Sequence, residues 1–172
     1  SADKRVTKVN VIQGDSSSYI LYFNSEGLMA YDYRPMVLLY GLCIMEQNGQ
    51  IENFFVGRSY RVGSEFLTNE LIDELSSEVV AKTSQLFLAT KPAAGEMEVV
   101  MGAGESGILL HEAIGHAFEA DFNRKKLSIF TDKMGQKIAE DFVTVIDDGT
   151  IPGKRGTLNF DDEGNPSAKT VI

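Results

Sequence analysis

The dipeptide Asn48-Gly49 lies between two apolar runs, residues 36–45 and 51–56, and constrains the fold more strongly than any other feature of the sequence. Asn and Gly tolerate the positive backbone φ angles of a type I′ turn, whose twist matches that of two antiparallel strands. The two runs therefore predict a β-hairpin. Strand-like runs at residues 6–11 and 19–23 precede it, and together these segments predict an antiparallel meander of four or five strands.

An amphipathic helix is predicted directly after this meander. Leu71, Leu75, Val79, Thr83 and Leu86 recur at helical spacing, so we expect a helix within residues 66–90 that covers one face of the sheet. The helix must end before Lys91-Pro92, because the residue before a proline disfavours helical geometry.

The second half of the chain has a weaker pattern. Residues 93–95 are small and resemble a linker, residues 96–101 alternate like a short strand, and residues 108–120 are rich in helix-forming side chains. A further strand is predicted at 142–146, and residues 168–172 resemble the opening of a strand with nothing to pair with. The predicted class is α+β: an antiparallel β-meander with a covering helix, then a strand–helix segment and further β structure, in two domains at 1–92 and 95–172.

Composition excludes two classes of partner. The chain has 16 Lys and Arg against 25 Asp and Glu, and a net charge of -9 opposes direct binding of nucleic acid. The longest apolar run, residues 36–45, is about half the ~20 residues that a membrane-spanning helix needs.

The single Cys43 allows no disulfide within the chain, and a cytoplasmic location is expected.

Both histidines of the chain fall in the hexapeptide His111-Glu112-Ala113-Ile114-Gly115-His116. Neutral imidazoles are favoured zinc ligands, and a neighbouring Glu can activate a water on the metal, as in the shorter His-Glu-x-x-His helix. A spacing of five, however, leaves the two side chains about 140° apart on a regular α-helix. Gly115 removes the Cβ directly before the second histidine, and a π-bulge there would bring the rings together, so we expect a local distortion at this glycine.

Catalytic zinc takes three protein ligands, so a third is needed. Cys43, Glu119 and Asp121 are candidates, although Cys43 fits core packing better and the two carboxylates fit a solvated helix end. The alternative is that the two histidines occur by chance on an amphipathic helix.

Other motifs support other chemistries less well. Residues 102–107 match the Gly-x-Gly-x-x-Gly dinucleotide fingerprint, with Asp121 downstream, but the preceding residues lack the required βαβ alternation. Ser106 misses the Gly-x-Ser-x-Gly elbow because position 108 is Ile. Asp147-Asp148 and residues 161–163 could bind a hard cation, but Asp beside Gly is typical of turns. The basic residues 124–126 fit a solvated face.

The histidine motif and several neighbouring segments resemble the TldD/PmbA proteins, which are also described as modulators of DNA gyrase. The segments that carry the resemblance are residues 24–28, 92–97, 107–116, 119–125, 143–150, 156–159 and 161–164. The resemblance implies a zinc-dependent peptidase that hydrolyses unfolded or leader peptides and works as a homodimer or as a heterodimer with a family member. His111 and His116 would be zinc ligands and Glu112 the general base.

The resemblance also implies what these residues lack. The family's third ligand is a cysteine far downstream that no position here matches, so the third ligand of Zn²⁺ is expected outside residues 1–172 and the segment alone is expected to be inactive. Members are longer, with an α/β domain before this region and more β structure after it. The alternative function is a non-catalytic partner or scaffold that binds another family member or gyrase, although a scaffold would not require the retained His-Glu-x-x-x-His motif.

Overall fold

A computed structural model describes residues 3–104 and 106–172 of the chain. Its main sheet contains three long antiparallel strands in the order β1-β2-β3, which are Val6–Phe23, Met29–Gln47 and Gln50–Tyr60. The turn between β2 and β3 is Asn48-Gly49, with φ angles of 54° and 81°, so the predicted hairpin is confirmed.

The meander has three strands rather than the four or five that the sequence predicted. The polar residues between the two expected N-terminal strands continue as part of β1 and pair with β2, for example Asp15 with Val37 and Ser17 with Pro35. Backbone hydrogen bonds do not depend on side-chain polarity, and an edge strand can expose polar side chains to water.

Helix α1 (Asn69–Leu86) follows β3 and covers one face of the sheet, as predicted. The Thr68 side chain accepts a hydrogen bond from the Leu71 backbone N–H at 3.2 Å and caps the first turn. The buried face of the helix packs on β2 and β3 to form the core, whose buried members are Leu39, Cys43, Met45, Val56, Leu75 and Val79.

The chain divides into two compact units. One contains the residues up to Lys91 together with Val145–Ile172, in which β4 (Ile146–Asp148) pairs antiparallel with β5 (Lys169–Val171). The other is Pro92–Thr144 and contains the short helices α2 (Gly107–Leu110), α3 (His116–Phe118) and α4 (Ala120–Arg124). In the described ranges, no helix is both long and apolar enough to cross a membrane. The α+β class is confirmed.

Three local predictions for the second half are wrong. Residues 96–101 form no strand, because their backbone pairs with no other segment of the described chain. Their side chains face water, and Val100 is 98% exposed. The predicted strand at 142–146 begins only at Ile146. The C-terminal residues were expected to be unpaired, yet β5 pairs with β4, a contact between segments that local pattern does not reveal.

A buried carboxylate connects the sheet to the C-terminal segment of the same unit. Asp32 on β2 is 0% exposed and accepts hydrogen bonds from Arg34 Nε at 2.7 Å, from Arg61 Nη2 and from Asn159 Nδ2 at 2.6 Å. Burial alone would raise the pKa of Asp32, but the Arg34 hydrogen bond and the Arg61 charge outweigh it and hold the pKa below its ordinary value.

Replacing Asp32 should destabilise the chain strongly. Asp32→Ala leaves the nearly buried Arg61 guanidinium without its carboxylate, and loss of one partner of a buried pair costs about 3–5 kcal/mol. Urea unfolding at neutral pH measures this loss. The matched control is Asp73→Ala on the exposed side of α1, which should change stability by less than about 0.5 kcal/mol. Equal effects of the two substitutions would contradict a structural role for the Asp32 contacts.

Candidate metal centre

A π-helical turn carries both histidines. Helix α2 leads directly into the π turn His111–Gly115, and α3 follows without interruption. A π turn closes its hydrogen bonds over five residues instead of four, so positions i and i+5 lie on the same side of the helix. The predicted distortion is confirmed, and the helical segment expected over 108–120 is interrupted at Glu119, where the backbone ψ is 131°.

The π turn brings together three side chains of types that can bind a metal ion. One donor atom from each of His111, Glu112 and His116 lies within 4.8 Å of the others. The two imidazole rings have centroids 4.5 Å apart and meet at 70°, and His116 Nε2 lies 3.9 Å from Glu112 Oε2. All three side chains are exposed to solvent.

This donor set fits a transition-metal ion. Zn–N bonds of about 2.0–2.1 Å place two ligands of one tetrahedral ion roughly 3.3 Å apart, so small side-chain rotations could close the two imidazoles on zinc. Two imidazoles and a carboxylate are also ligand types that zinc accepts in proteins.

Glu119 is the closest hydrogen-bond partner of the second histidine. Its Oε1 lies 2.6 Å from His116 Nδ1, across the end of α3. This hydrogen bond, supported by the negative charges of Glu119 and Glu112, raises the pKa of His116 above its ordinary value. From the sequence, Glu119 was predicted only as a possible ligand or a solvated side chain. The His-x-x-Glu spacing, which places both residues on one helix face, could have indicated the pair.

The other candidate ligands have different partners. Cys43 is 0% exposed and belongs to the core beneath α1, in agreement with the packing interpretation. Asp121 lies 3.1 Å from Lys125 Nζ, and this ion pair lowers the pKa of its carboxyl group.

The competing motifs lack the structures they require. Both sheets of the described residues are antiparallel, and the residues directly before the glycines at 102–107 form no strand, so the dinucleotide fingerprint has no βαβ unit. Asp148 Oδ1 accepts hydrogen bonds from the backbone and hydroxyl of Thr150, and Asp161 Oδ1 accepts from the backbone of Asn165. Asp148 therefore ends β4 at a turn that its own carboxylate stabilises, and residues 161–165 form an ordinary turn.

The π turn does not depend on the space that Gly115 leaves by lacking a Cβ. A Cβ at this position would meet its nearest neighbour, His111 Nδ1, at 3.8 Å, which is an ordinary van der Waals distance. Its φ of -52° is also available to every residue. The expectation that the missing Cβ allows the distortion is therefore not supported by the local packing.

A helix that presents two histidines and a glutamate to one point is the metal-binding element of metallopeptidases. Family models agree with this class: the central domain of the PmbA/TldA metallopeptidases matches residues 1–87, and the C-terminal domain of the same family matches residues 94–172. The chain belongs to the PmbA/TldA (TldD/PmbA) metallopeptidase family. The division into domains at 92 and 95 stays a prediction.

Several named relatives share the whole of this segment. Over 99% of this chain, it is 39% identical to a metalloprotease TldD homologue of Haemophilus influenzae. Over 100% of this chain, it is 40% identical to a metalloprotease TldD homologue of Buchnera aphidicola. A metalloprotease of Methanocaldococcus jannaschii is 31% identical over 99% of the chain. The chain spans only 36–37% of the length of these relatives.

A solved structure shares the fold. A protein of Bacteroides thetaiotaomicron described as a modulator of DNA gyrase superposes with a TM-score of 0.72 at 19% identity, over 99% of this chain and 38% of its own. At this identity the match shows the fold alone.

Replacing Gly115 by alanine should be tolerated. The added methyl group fits, and alanine is favoured over glycine in helices by about 0.5–1 kcal/mol, so stability should stay equal or rise slightly. Chemical denaturation measures the change, and the NMR contacts between the two histidine rings report whether the π turn persists. Loss of those ring contacts in Gly115→Ala would show that the distortion depends on glycine.

Proposed function

We propose that this chain is the metal-binding segment of a zinc-dependent peptidase that hydrolyses unfolded or leader peptides in the cytoplasm. The observation that carries the proposal is the convergence of His111, Glu112 and His116 across one π turn. The family and the printed names of the relatives support metallopeptidase chemistry. The single buried thiol is compatible with a reducing compartment.

The three side chains have separate roles in this proposal. His111 and His116 hold the ion through their ring nitrogens, and zinc, when bound, supplies Lewis-acid chemistry that polarises a scissile carbonyl and lowers the pKa of water to about 7. The exposed carboxylate of Glu112 removes a proton from the attacking water. It then delivers that proton to the leaving amine nitrogen, which completes hydrolysis of the peptide bond.

An exposed site suits an unfolded substrate. All three donors are accessible from water, so an extended chain could reach them without having its own fold opened first. A folded protein presents few backbone segments that can enter a catalytic site, whereas a leader or unfolded peptide presents all of them. The accessibility of the donors therefore supports an extended peptide as the substrate class.

We also propose that the protein pairs with a second chain of its family, identical or homologous. The support is an exposed apolar surface near the turn between β1 and β2, which we call the hairpin patch. It consists of cross-strand pairs on one face of the sheet, and each side chain is between 44% and 74% exposed. Its members are Tyr19, Leu21, Phe23, Met29, Tyr31 and Tyr33. Such an aromatic patch covers several hundred Å², on the scale of one side of a standard protein interface at about 800 Å².

The metal-binding proposal predicts weak zinc binding by this chain. Two imidazoles supply part of a tetrahedral site, so the apparent binding free energy should be smaller than the ~10 kcal/mol at which structural zinc sites begin. Calorimetric titration measures it, with His111→Ala expected to abolish binding and Asp121→Asn to leave it unchanged. Tight one-to-one binding lost in Cys43→Ser or Asp121→Asn would contradict a third ligand outside residues 1–172.

The catalytic proposal predicts the behaviour of Glu112→Gln in a protein of the relatives' full length. Glutamine keeps the size of the side chain but cannot accept the proton, so zinc content should be retained while peptide cleavage falls at least ~10²-fold. Metal analysis and a peptide cleavage assay measure the two effects, and the exposed Glu98→Gln is the control. Undiminished cleavage by Glu112→Gln would exclude Glu112 as the general base.

The pairing proposal predicts concentration-dependent association that involves the hairpin patch. Sedimentation velocity of the chain, alone and mixed with a homologous family chain, should show a dimer that Tyr31→Lys weakens, because a lysine placed in the apolar contact must be desolvated. Ile129→Lys, a change at an exposed apolar residue of the other unit, should have no effect. Association that is equally strong in both variants would show that pairing does not use this patch.

A further inference from the structure

The two ring nitrogens of His116 face different groups. Nδ1 lies 2.6 Å from Glu119 Oε1, whereas Nε2 points toward Glu112, 3.9 Å from its Oε2. The ring is therefore held on one side by a carboxylate and presents its other nitrogen to the side chains that share the π turn.

Glu119 is fixed at the point where the helix breaks. Its carbonyl oxygen accepts hydrogen bonds from the Asn123 backbone N–H at 3.1 Å and from Asn123 Nδ2 at 3.1 Å. Asn123 Nδ2 also donates to the Ala117 carbonyl at 2.9 Å, and the Ser128 hydroxyl donates to the same carbonyl at 2.5 Å. These contacts hold the backbone on both sides of Glu119 in one conformation.

A carboxylate at Nδ1 decides where the imidazole proton lies. A neutral imidazole carries one N–H, and a carboxylate accepts from it but cannot donate to it, so the proton is held on Nδ1 and the lone pair is left on Nε2. Metal-binding histidines in proteins usually donate their second N–H to such an acceptor, which also fixes the ring orientation.

We infer that Glu119 is the positioning residue of His116: it holds the proton on Nδ1 and directs Nε2 at the metal, and it is not itself a ligand. The inference rests on the proposed function for the identity of the metal. Glu119 Oε1 lies on the Nδ1 side of the ring, while the donor atoms that lie within reach of one another come from His111, Glu112 and His116 among the described residues.

The first test needs no metal and no activity. Long-range ¹H–¹⁵N NMR on the metal-free chain, above the pH at which the histidines titrate, should show the His116 proton on Nδ1. Glu119→Gln should retain this tautomer, because the glutamine oxygen still accepts from Nδ1–H, whereas Glu119→Ala should give a mixture of both tautomers. Asp121→Asn, the neighbouring carboxylate change, should leave the His116 signals unchanged. His111 provides an internal reference in every spectrum.

The second test is zinc affinity by calorimetry on the same variants. Glu119→Ala should bind zinc about 10–100-fold more weakly than the unmodified chain, and Glu119→Gln should recover most of that loss. A His116 proton on Nε2 in the unmodified chain, or the same tautomer mixture with and without Glu119, would overturn the inference. A third outcome would also overturn the inference: Glu119→Gln keeps the His116 tautomer but loses as much zinc affinity as Glu119→Ala. Glu119 would then be a metal ligand.

The two tests separate this inference from the proposed function. If the unmodified chain and its His111→Ala variant bind zinc equally, the metal-binding proposal fails whatever the tautomer of His116. If zinc binding depends on His111 and His116 but not on Glu119, the metal-binding proposal stands and the positioning role is excluded.

Discussion

The larger unit depends on the backbone pairing of β2 along both of its edges. This strand hydrogen-bonds to β1 over nearly its whole length and to β3 over its second half, so it is the central strand of the main sheet. The core under α1 uses its side chains Leu39, Cys43 and Met45. At its other end Asp32 holds Arg61 and Asn159. Strand β2 therefore contributes both to the apolar core and to the buried polar cluster of this unit.

Features that depend on neighbouring residues could be predicted from the sequence. The Asn48-Gly49 turn, the buried face of α1 and the π turn each follow from spacings of five residues or fewer, or from a repeated helical period. The five-residue spacing of His111 and His116 was informative because a regular helix could not bring the two rings together. The hypothesis that both histidines face one metal ion thus predicted a backbone irregularity.

Features that depend on distant pairing could not be predicted. The polar middle of β1 is a strand because β2 lies beside it, and nothing in the pattern of residues 12–18 indicates that partner. Residues 96–101 alternate like a short strand but pair with no strand in the described part of the chain. Asp32 is buried because Arg61 and Asn159, 29 and 127 positions away, satisfy its charge and oxygens. An aspartate with no such partners would have been exposed.

The exposure of the proposed metal centre limits how much chemistry these residues can perform. Interactions between charges in water are weakened by the high dielectric constant, so a carboxylate and two imidazoles on an open helix act on a substrate less strongly than the same groups in an enclosed cleft. Glu119 and the contacts of Asn123 compensate in part, because they limit the orientations that His116 can adopt without enclosing it. Orientation is a local property that one helix and the following turn can supply. Enclosure requires surfaces on several sides, and the relatives are nearly three times as long as this chain, which gives them residues from which such surfaces can be built.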